Sequence, residues 1–316
     1  MKVLVTGSAG FIGSHVSEAL LKRGVQVVGI DDLNDYYDPA KKVRNNNILL
    51  QFSNYHFYKI DITQPDAVDK VFAVEHPTHV IHLAARAGVR ASIQQPELYT
   101  KVNVLATLSL LQAAARVKVQ HFIHTSSSSV YGSTAEVPFH EDQRTDKPVS
   151  PYAVTKKASE LIAYTMHKLN GMPVTVIRPF TVYGPRGRPD MAPYAFMRRI
   201  LSSQPIERYG DGSTSRDYTY IGDIVPGILA ALERPRGFQI YNLGHNEPVR
   251  LNDFIATLER VTGRKAIIIE KPIPTGELAL TCADITKAKK ELGYSPRTSI
   301  AEGLALFHQW FIDNES

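Results

Sequence analysis

The 316-residue chain has a globular composition, 43% hydrophobic and 21% charged, and is long enough for one large core or two adjoining domains. Its formal charge of +5 sits in isolated pairs such as Lys41-Lys42 and Lys156-Lys157, not in the basic stripe of a nucleic-acid binder, so it marks either a solvated surface or a cleft for a small polyanion. A single cysteine, Cys282, excludes an intrachain disulfide, and no apolar run approaches the ~18 residues of a membrane span.

Met1 leads directly into the strand-like Val3-Leu4-Val5 with no signal-peptide pattern, which makes the cytoplasm the expected location. Ile12, Val16, Ala19 and Leu20 follow at helical spacing, and Gly24 stands where a helix ends before a second strand over 25–30. Further strands are predicted over 55–60, 79–83, 120–125 and 174–177, with helices near 65–74, 96–116 and 150–169. Strands alternating with helices imply a parallel sheet with right-handed crossovers, a Rossmann-type doubly wound α/β fold. Beyond residue 178 the pattern loosens. Pro179, Pro185, Pro189, Pro193 and Pro205 interrupt it, Gly210-Asp211-Gly212 marks a turn, and short helices are predicted near 223–233, 251–261 and 300–313. The expected division is a dinucleotide-binding domain over 1–178 and a smaller α/β substrate domain over 179–316, with some interchange of elements and one shared cleft.

Thr6-Gly7-Ser8-Ala9-Gly10-Phe11-Ile12-Gly13 joins the first strand to the first helix. Gly7 permits a tight turn, Gly10 lets backbone approach a pyrophosphate, and Gly13 allows close helix–strand packing, while the helix N-terminus faces the phosphates. Three glycines alone also suit a plain turn. Asp31, 18 residues beyond Gly13, ends the second strand where a carboxylate can accept the adenosine ribose hydroxyls. Its charge, reinforced by Asp32, would repel a 2′-phosphate, so NAD is favoured over NADP. Asp61-Ile62 after the third strand would flank the adenine, and the small Leu83-Ala84-Ala85 after the fourth would let backbone lie along the cofactor.

Tyr152 and Lys156 are four residues apart on a predicted helix and share a face. A free tyrosine titrates near 10, and a neighbouring lysine plus a positive nicotinamide would favour the phenolate and make it a usable base. With 15 tyrosines in the chain, about one such pair is expected by chance, so the pair by itself is equally a surface feature. The run Thr125-Ser126-Ser127-Ser128-Ser129-Val130-Tyr131-Gly132 adds weight, because hydroxyls at a strand end can relay a proton as well as form a turn. No histidine or cysteine shows zinc-type spacing, and His121 and His124 fall within a predicted strand, so no metal is expected.

Together these features resemble the extended short-chain dehydrogenase/reductase family, and within it the nucleotide-sugar 4-epimerases. Asp31-Asp32-Leu33-Asn34-Asp35-Tyr36-Tyr37-Asp38, Arg86-Ala87-Gly88-Val89-Arg90, Thr181-Val182-Tyr183-Gly184-Pro185-Arg186 and Arg216-Asp217-Tyr218-Thr219-Tyr220 look like the UDP-glucuronate 4-epimerases. The resemblance implies Ser127 as the catalytic hydroxyl, Tyr152 as the base and Lys156 on the nicotinamide ribose. It also implies NAD contacts from Gly7, Gly10, Phe11, Ile12, Gly13, Asp31, Asp32, Asn34, Asp61, Ile62, Leu83, Ala84, Ala85, Asn103 and Pro179. The implied reaction removes hydride from sugar carbon 4 to tightly held NAD, turns the 4-keto sugar over and returns the hydride to its other face.

Sister reactions differ near carbon 5. Decarboxylases of this family typically carry Glu where Ser129 stands, 4,6-dehydratases an Asp-Glu pair at Ser128-Ser129, and UDP-galactose epimerases Asn at Thr181. Ser128, Ser129 and Thr181 would instead donate to a sugar carboxylate. The resemblance places Arg216 on the UDP diphosphate and Arg188 near the sugar end, adds Arg186 as a further substrate-binding candidate, and implies a homodimer through the helices near 96–116 and 150–169. Gly276-Glu277-Leu278 departs from the Gly-Asp-Val common in relatives. A 4-epimerase of a neutral sugar such as UDP-galactose or of an acetamido sugar, a decarboxylase or dehydratase, and a non-catalytic NAD-binding protein stay open as alternatives.

Overall fold

The structure, a computed structural model, describes residues 1–133, 136–273 and 278–315, so Gly276 and Glu277 lie outside the described residues. Strands β1 (Lys2–Thr6), β2 (Gln26–Asp31), β3 (Tyr55–Lys59), β4 (His79–His82), β5 (His121–Thr125) and β6 (Val174–Pro179) alternate with helices in the first half. Those helices are α1 (Phe11–Lys22), α2 (Pro39–Leu49), α3 (Pro65–Glu75), α4 (Val89–Gln94), α5 (Pro96–Thr100), α6 (Ala106–Arg116) and α7 (Pro151–Asn170). Then follow β7 (Thr181–Tyr183), α8 (Ala192–Leu201), β8 (Ile206–Tyr209), β9 (Ser215–Tyr220), α9 (Ile221–Leu232) and β10 (Phe238–Leu243). The chain ends with β11 (Pro248–Arg250), α10 (Leu251–Thr262), β12 (Ile268–Lys271), α11 (Thr286–Leu292) and α12 (Ile300–Glu315).

Two compact units form. The first gathers Met1–Thr134, Arg144–Arg178 and Gly227–Tyr241; the second gathers Ala135–Gln143, Pro179–Pro226 and Asn242–Ser316. In the first, a seven-stranded sheet runs in the order β10-β6-β5-β4-β1-β2-β3, and the ladders from β3 across to β6 are parallel. This is the doubly wound fold that the strand–helix alternation implies. The inner strands β1, β4, β5 and β6 are buried on both faces, which explains their largely apolar runs, whereas the edge strand β3 is partly exposed. Leu4, Val28, Val80, Phe122 and Val176 pack on one side against Val68, Val71 and Phe72 of α3 and Leu110, Leu111 and Ala114 of α6. In the second unit, β11-β9-β7 and β12-β8 form small sheets, and Tyr218 stacks on Phe254 at 4.3 Å within a core that includes Met197, Leu304 and Phe307.

Three differences from the sequence reading have physical causes. The helix predicted over 96–116 is broken into α5, a π-helical turn at 101–105 and α6; the turn carries Asn103, whose amide is bound elsewhere. Helix α2 was invisible to hydrophobic periodicity because its buried side chains include Lys42, Asn45 and Asn46. Residues 227–241 return to the first unit, where β10 covers the edge that β6 would otherwise leave open. Helix α7, which carries Tyr152, is well delimited: the Ser150 hydroxyl accepts the Ala153 N–H, Pro151 stands in the first turn, and Gly171 ends it at φ 70°.

Candidate active site

The glycine turn between β1 and α1 is defined by close backbone approach. Gly7 has φ +72°, and a Cβ there would lie 2.8 Å from the Ala84 nitrogen; a Cβ at Gly13 would lie 1.9 Å from the Gly7 carbonyl oxygen. Among the described residues, and apart from its chain neighbours, a Cβ at Gly10 would meet within 4 Å just that same carbonyl oxygen, at 3.2 Å, which leaves room for a ligand outside the turn. Helix α1 then starts at Phe11 with no side-chain cap and no acidic residue in its first turn, which suits it to an anion. Polar residues of α2 brace the turn. Asn45 Nδ2 donates to the Ala9 carbonyl at 3.0 Å, and the Tyr55 hydroxyl bridges Ser8 and Asn46 at 3.1 and 3.0 Å.

Asp31 ends β2 with one carboxylate oxygen accepting from the Ala9 N–H at 3.2 Å and the other from Leu33 at 2.9 Å. Burial raises its pKa, with the Lys42 ammonium 3.9 Å away opposing that shift. Two accepted bonds leave lone pairs for ribose hydroxyls. Asp32 is occupied differently: it accepts from the Asn34 backbone and amide, and Asn34 accepts from Tyr36, so both shape the turn after β2. Asp61 accepts the Thr63 N–H at 2.8 Å, and Ile62 is buried in the main core. Leu83 and Ala84 donate to the Thr6 carbonyl and hydroxyl, each at 3.2 Å, which sets the segment through Ala85 beside the glycine turn. Asn103 is fully engaged within the protein. Its amide holds the Arg86 N–H and carbonyl at 2.8 and 2.9 Å and donates to the Thr155 hydroxyl at 3.0 Å. Phe11 and Ile12 begin α1, and Pro179 closes β6. The turn, the uncapped helix and the strand-end carboxylate fit a dinucleotide.

At the end of β5, Ser127 caps a short 3-10 turn over Ser128–Tyr131; its hydroxyl accepts the Ser129 N–H and meets the Ser129 hydroxyl, each at 3.2 Å. Lys156, buried on α7, donates to the Thr125 carbonyl at 2.6 Å and so ties α7 to the same strand end. Burial pushes its ammonium down to about 8, with the Glu160 charge opposing. Tyr152, one turn earlier on α7, rests edge-on against Tyr99 at 6.2 Å. The first unit therefore contains all three catalytic candidates and every candidate cofactor residue except Pro179, which belongs to the second unit.

Sequence reasoning passed over a buried clamp beneath this site. Arg178 on β6 donates twice to Glu160 on α7, each at 2.8 Å, and once to the Tyr131 hydroxyl at 3.1 Å, with its guanidinium 4.9 Å over the Tyr131 ring. Burial would raise the Glu160 pKa, but the Arg178 bonds and charge outweigh it and hold the carboxyl below its ordinary range. An arginine closing the apolar run over 174–177, and a glutamate one turn beyond Lys156, were the available signals.

The second unit carries the remaining candidates. Thr181 lies on β7, paired with Tyr218 of β9. Arg186 sits at φ 61° on the loop after β7, Arg188 donates to both oxygens of Asp190, and Arg216 donates to the Ser215 carbonyl at 2.9 Å. Within Arg216-Asp217-Tyr218-Thr219-Tyr220 the hub is Asp217. Fully buried, it accepts from the N–H groups of His245, Asn246 and Ala283 at 2.7 to 3.0 Å and from the Thr219 hydroxyl at 3.1 Å. Among the described residues no group of three or more His, Cys, Asp or Glu is arranged to hold a metal, and no helix is long and apolar enough to cross a membrane.

The family profile described as "NAD dependent epimerase/dehydratase family" matches residues 3–244. The chain is 46% identical over 312 residues to a UDP-glucuronate 4-epimerase of Thermodesulfobacterium geofontis, covering 98% of this chain and 96% of that one. The crystal structure of UDP-glucuronic acid 4-epimerase from Bacillus cereus in complex with UDP-glucuronic acid and NAD is similar at a TM-score of 0.93 and 38% identity, covering 99% of both chains. A UDP-glucose 4-epimerase of Thermotoga maritima, solved with UDP-glucose, is similar at a TM-score of 0.93 and 32% identity over 100% of both chains.

Proposed function

Because the chain belongs to the NAD-dependent epimerase/dehydratase family, we propose that it interconverts UDP-glucuronate and UDP-galacturonate by epimerisation at carbon 4. The observation that carries this reading is the serine turn at the end of β5. Ser127, Ser128 and Ser129 offer neutral hydroxyls, and on the family pattern Ser128 and Ser129 stand where sister enzymes acting at carbon 5 carry a carboxylate. In this reading Tyr152 takes the proton of the carbon-4 hydroxyl and Ser127 relays it. Lys156, anchored on the Thr125 carbonyl, supplies the positive charge that favours the phenolate. NAD, when bound, accepts hydride from carbon 4 and gives it back.

We assign Ser128, Ser129 and Thr181 to the sugar carboxylate and Arg216 to the diphosphate, the latter on the family pattern. Charge-assisted hydrogen bonds fix a carboxylate firmly. That matters because a 4-keto uronate is a β-keto acid that loses CO2 when the breaking bond aligns with the ketone. Arg188 would have to leave Asp190 before it could serve the sugar. Introducing Ser129→Glu is expected to divert a measurable share of product to CO2 and a UDP-pentose, read by NMR; unchanged epimer products would remove this role from Ser129. The similarity to the Thermotoga maritima enzyme keeps a neutral UDP-hexose as the second reading.

The oligomer we propose is a homodimer. Val154, Leu161 and Tyr164 of α7 and Leu105 just before α6 are between 45% and 56% exposed, an apolar face on the helices that would pair with a second copy. Sedimentation should give twice the chain mass, and Leu161→Glu should give the chain mass alone; a parent that sediments as a monomer rejects the dimer. We place the protein in the cytoplasm, where its one thiol, Cys282, stays reduced.

A further inference from the structure

β4 ends in His82, an imidazole only 2% exposed within the sheet, where an unused ring nitrogen would be costly. Neither nitrogen is unused. Nδ1 lies 2.7 Å from the Thr6 hydroxyl, and Nε2 lies 2.9 Å from the Thr107 hydroxyl. The direction of each bond follows from proton counting. Thr107 donates its only hydroxyl proton to the Asn103 carbonyl at 2.8 Å, since a carbonyl can only accept. Nε2 must therefore carry a proton and donate it to Thr107. Burial, then the proximity of His124 and Lys156, keeps the ring neutral, so Nδ1 accepts from Thr6. Thr6 in turn accepts the Ala84 N–H at 3.2 Å.

One directed chain thus joins two parts of the site. Its first end is Thr6 and Ala84, the residues that set the glycine turn. Its second end is the π-helical turn, where the Asn103 amide holds Arg86 and Thr155, and the Thr155 hydroxyl donates to the Tyr152 carbonyl at 2.8 Å. Beside it His124, stacked 5.6 Å from His82, meets the Ser159 hydroxyl at 2.8 Å, and that hydroxyl donates to the Lys156 carbonyl at 2.8 Å. The same counting makes His124 an Nε2 donor. Both histidines are wired to the backbone of a catalytic candidate.

We propose that His82 is a positioning residue, fixing the cofactor-binding turn to the Tyr152 helix through the directed chain Thr6–His82–Thr107–Asn103–Thr155. The proposal rests on the NAD-dependent reading above. Its main readouts, cofactor release and ring protonation, need no sugar, so a wrong sugar assignment leaves them intact.

His82→Phe keeps a ring of similar size and removes both nitrogens; Thr107→Val removes the bonds of Thr107 to His82 Nε2 and to the Asn103 carbonyl and leaves the Thr6–His82 bond in place. Each is expected to speed NAD release from the purified holoenzyme about tenfold and lower kcat about tenfold, with sugar KM within about twofold. In the 15N-labelled parent, the His82 ring should give the signal of a neutral imidazole protonated at Nε2. A residue that only stabilises the fold would lower the melting temperature and leave NAD release and kcat unchanged below it. That outcome for Thr107→Val, or a ring protonated at Nδ1, would overturn the proposal even if His82→Phe fails to fold.

Discussion

Replacing Tyr152 with phenylalanine is expected to reduce kcat by about 10²- to 10⁴-fold, the range lost with a general base, while NAD stays bound. The substitution deletes one oxygen and leaves the ring against Tyr99, so packing on α7 should hold. Ser127 cannot take over. Its hydroxyl meets the Ser129 N–H and hydroxyl, neither of which is a base that could activate it. Lys156→Met should approach the same loss, because it removes the charge fixed at the Thr125 carbonyl. Stopped-flow and steady-state rates on folded, NAD-loaded protein decide the matter: a Tyr152→Phe variant retaining more than about a tenth of kcat takes the base role away from Tyr152.

The largest effect on stability is expected at the Arg178–Glu160 clamp. Both side chains are at most 2% exposed, so truncating Arg178 leaves the buried Glu160 charge without its two-bond partner, with the partly exposed Lys157 ammonium 3.4 Å away as a weaker one. Arg178→Met should cost about 3–5 kcal/mol in denaturant unfolding, and the double change Arg178→Met with Glu160→Gln should recover much of it. The pH dependence has a definite sign. The Glu160 carboxyl is held below its ordinary range in the folded protein, so its stabilisation is present above the unfolded pKa and is lost as pH falls through the lower folded value. Glu160→Gln should therefore flatten the acid side of the stability curve. An Arg178→Met variant as stable as the parent would show that the clamp is dispensable.

Much of the first unit was legible because its strands are apolar on both faces and alternate with helices of clear period; β1 to β6 fall within a few residues of their predicted places. What stayed hidden was polar or returned from far along the chain. Lys42, Asn45 and Asn46 are buried on α2 because the glycine turn and Asp31 need partners, so no hydrophobic stripe announces that helix. β10 belongs to the large sheet only because the edge beside β6 needs a strand, a requirement that exists only once the sheet is assembled. The candidate site shows the same split. Its glycine spacing and serine run stand out in one dimension, whereas a lone Tyr152–Lys156 pair is no rarer than chance. In Arg216-Asp217-Tyr218-Thr219-Tyr220, the arginine drew the reading away from Asp217, whose carboxylate accepts four hydrogen bonds that join segments from 215–220, 245–246 and 283. His82 reads as an ordinary strand residue until both ring nitrogens are followed to their partners.

The most direct test of the proposed activity is to incubate the purified protein with UDP-glucuronate, with no NAD added, and follow the sugar signals by NMR. The expected result is a mixture of UDP-glucuronate and UDP-galacturonate with no CO2 released, sustained by cofactor that purifies with the protein. No conversion even after NAD is supplied, alongside turnover of UDP-glucose or UDP-galactose, would contradict the glucuronate assignment and move the carboxylate-binding role away from Ser128, Ser129 and Thr181.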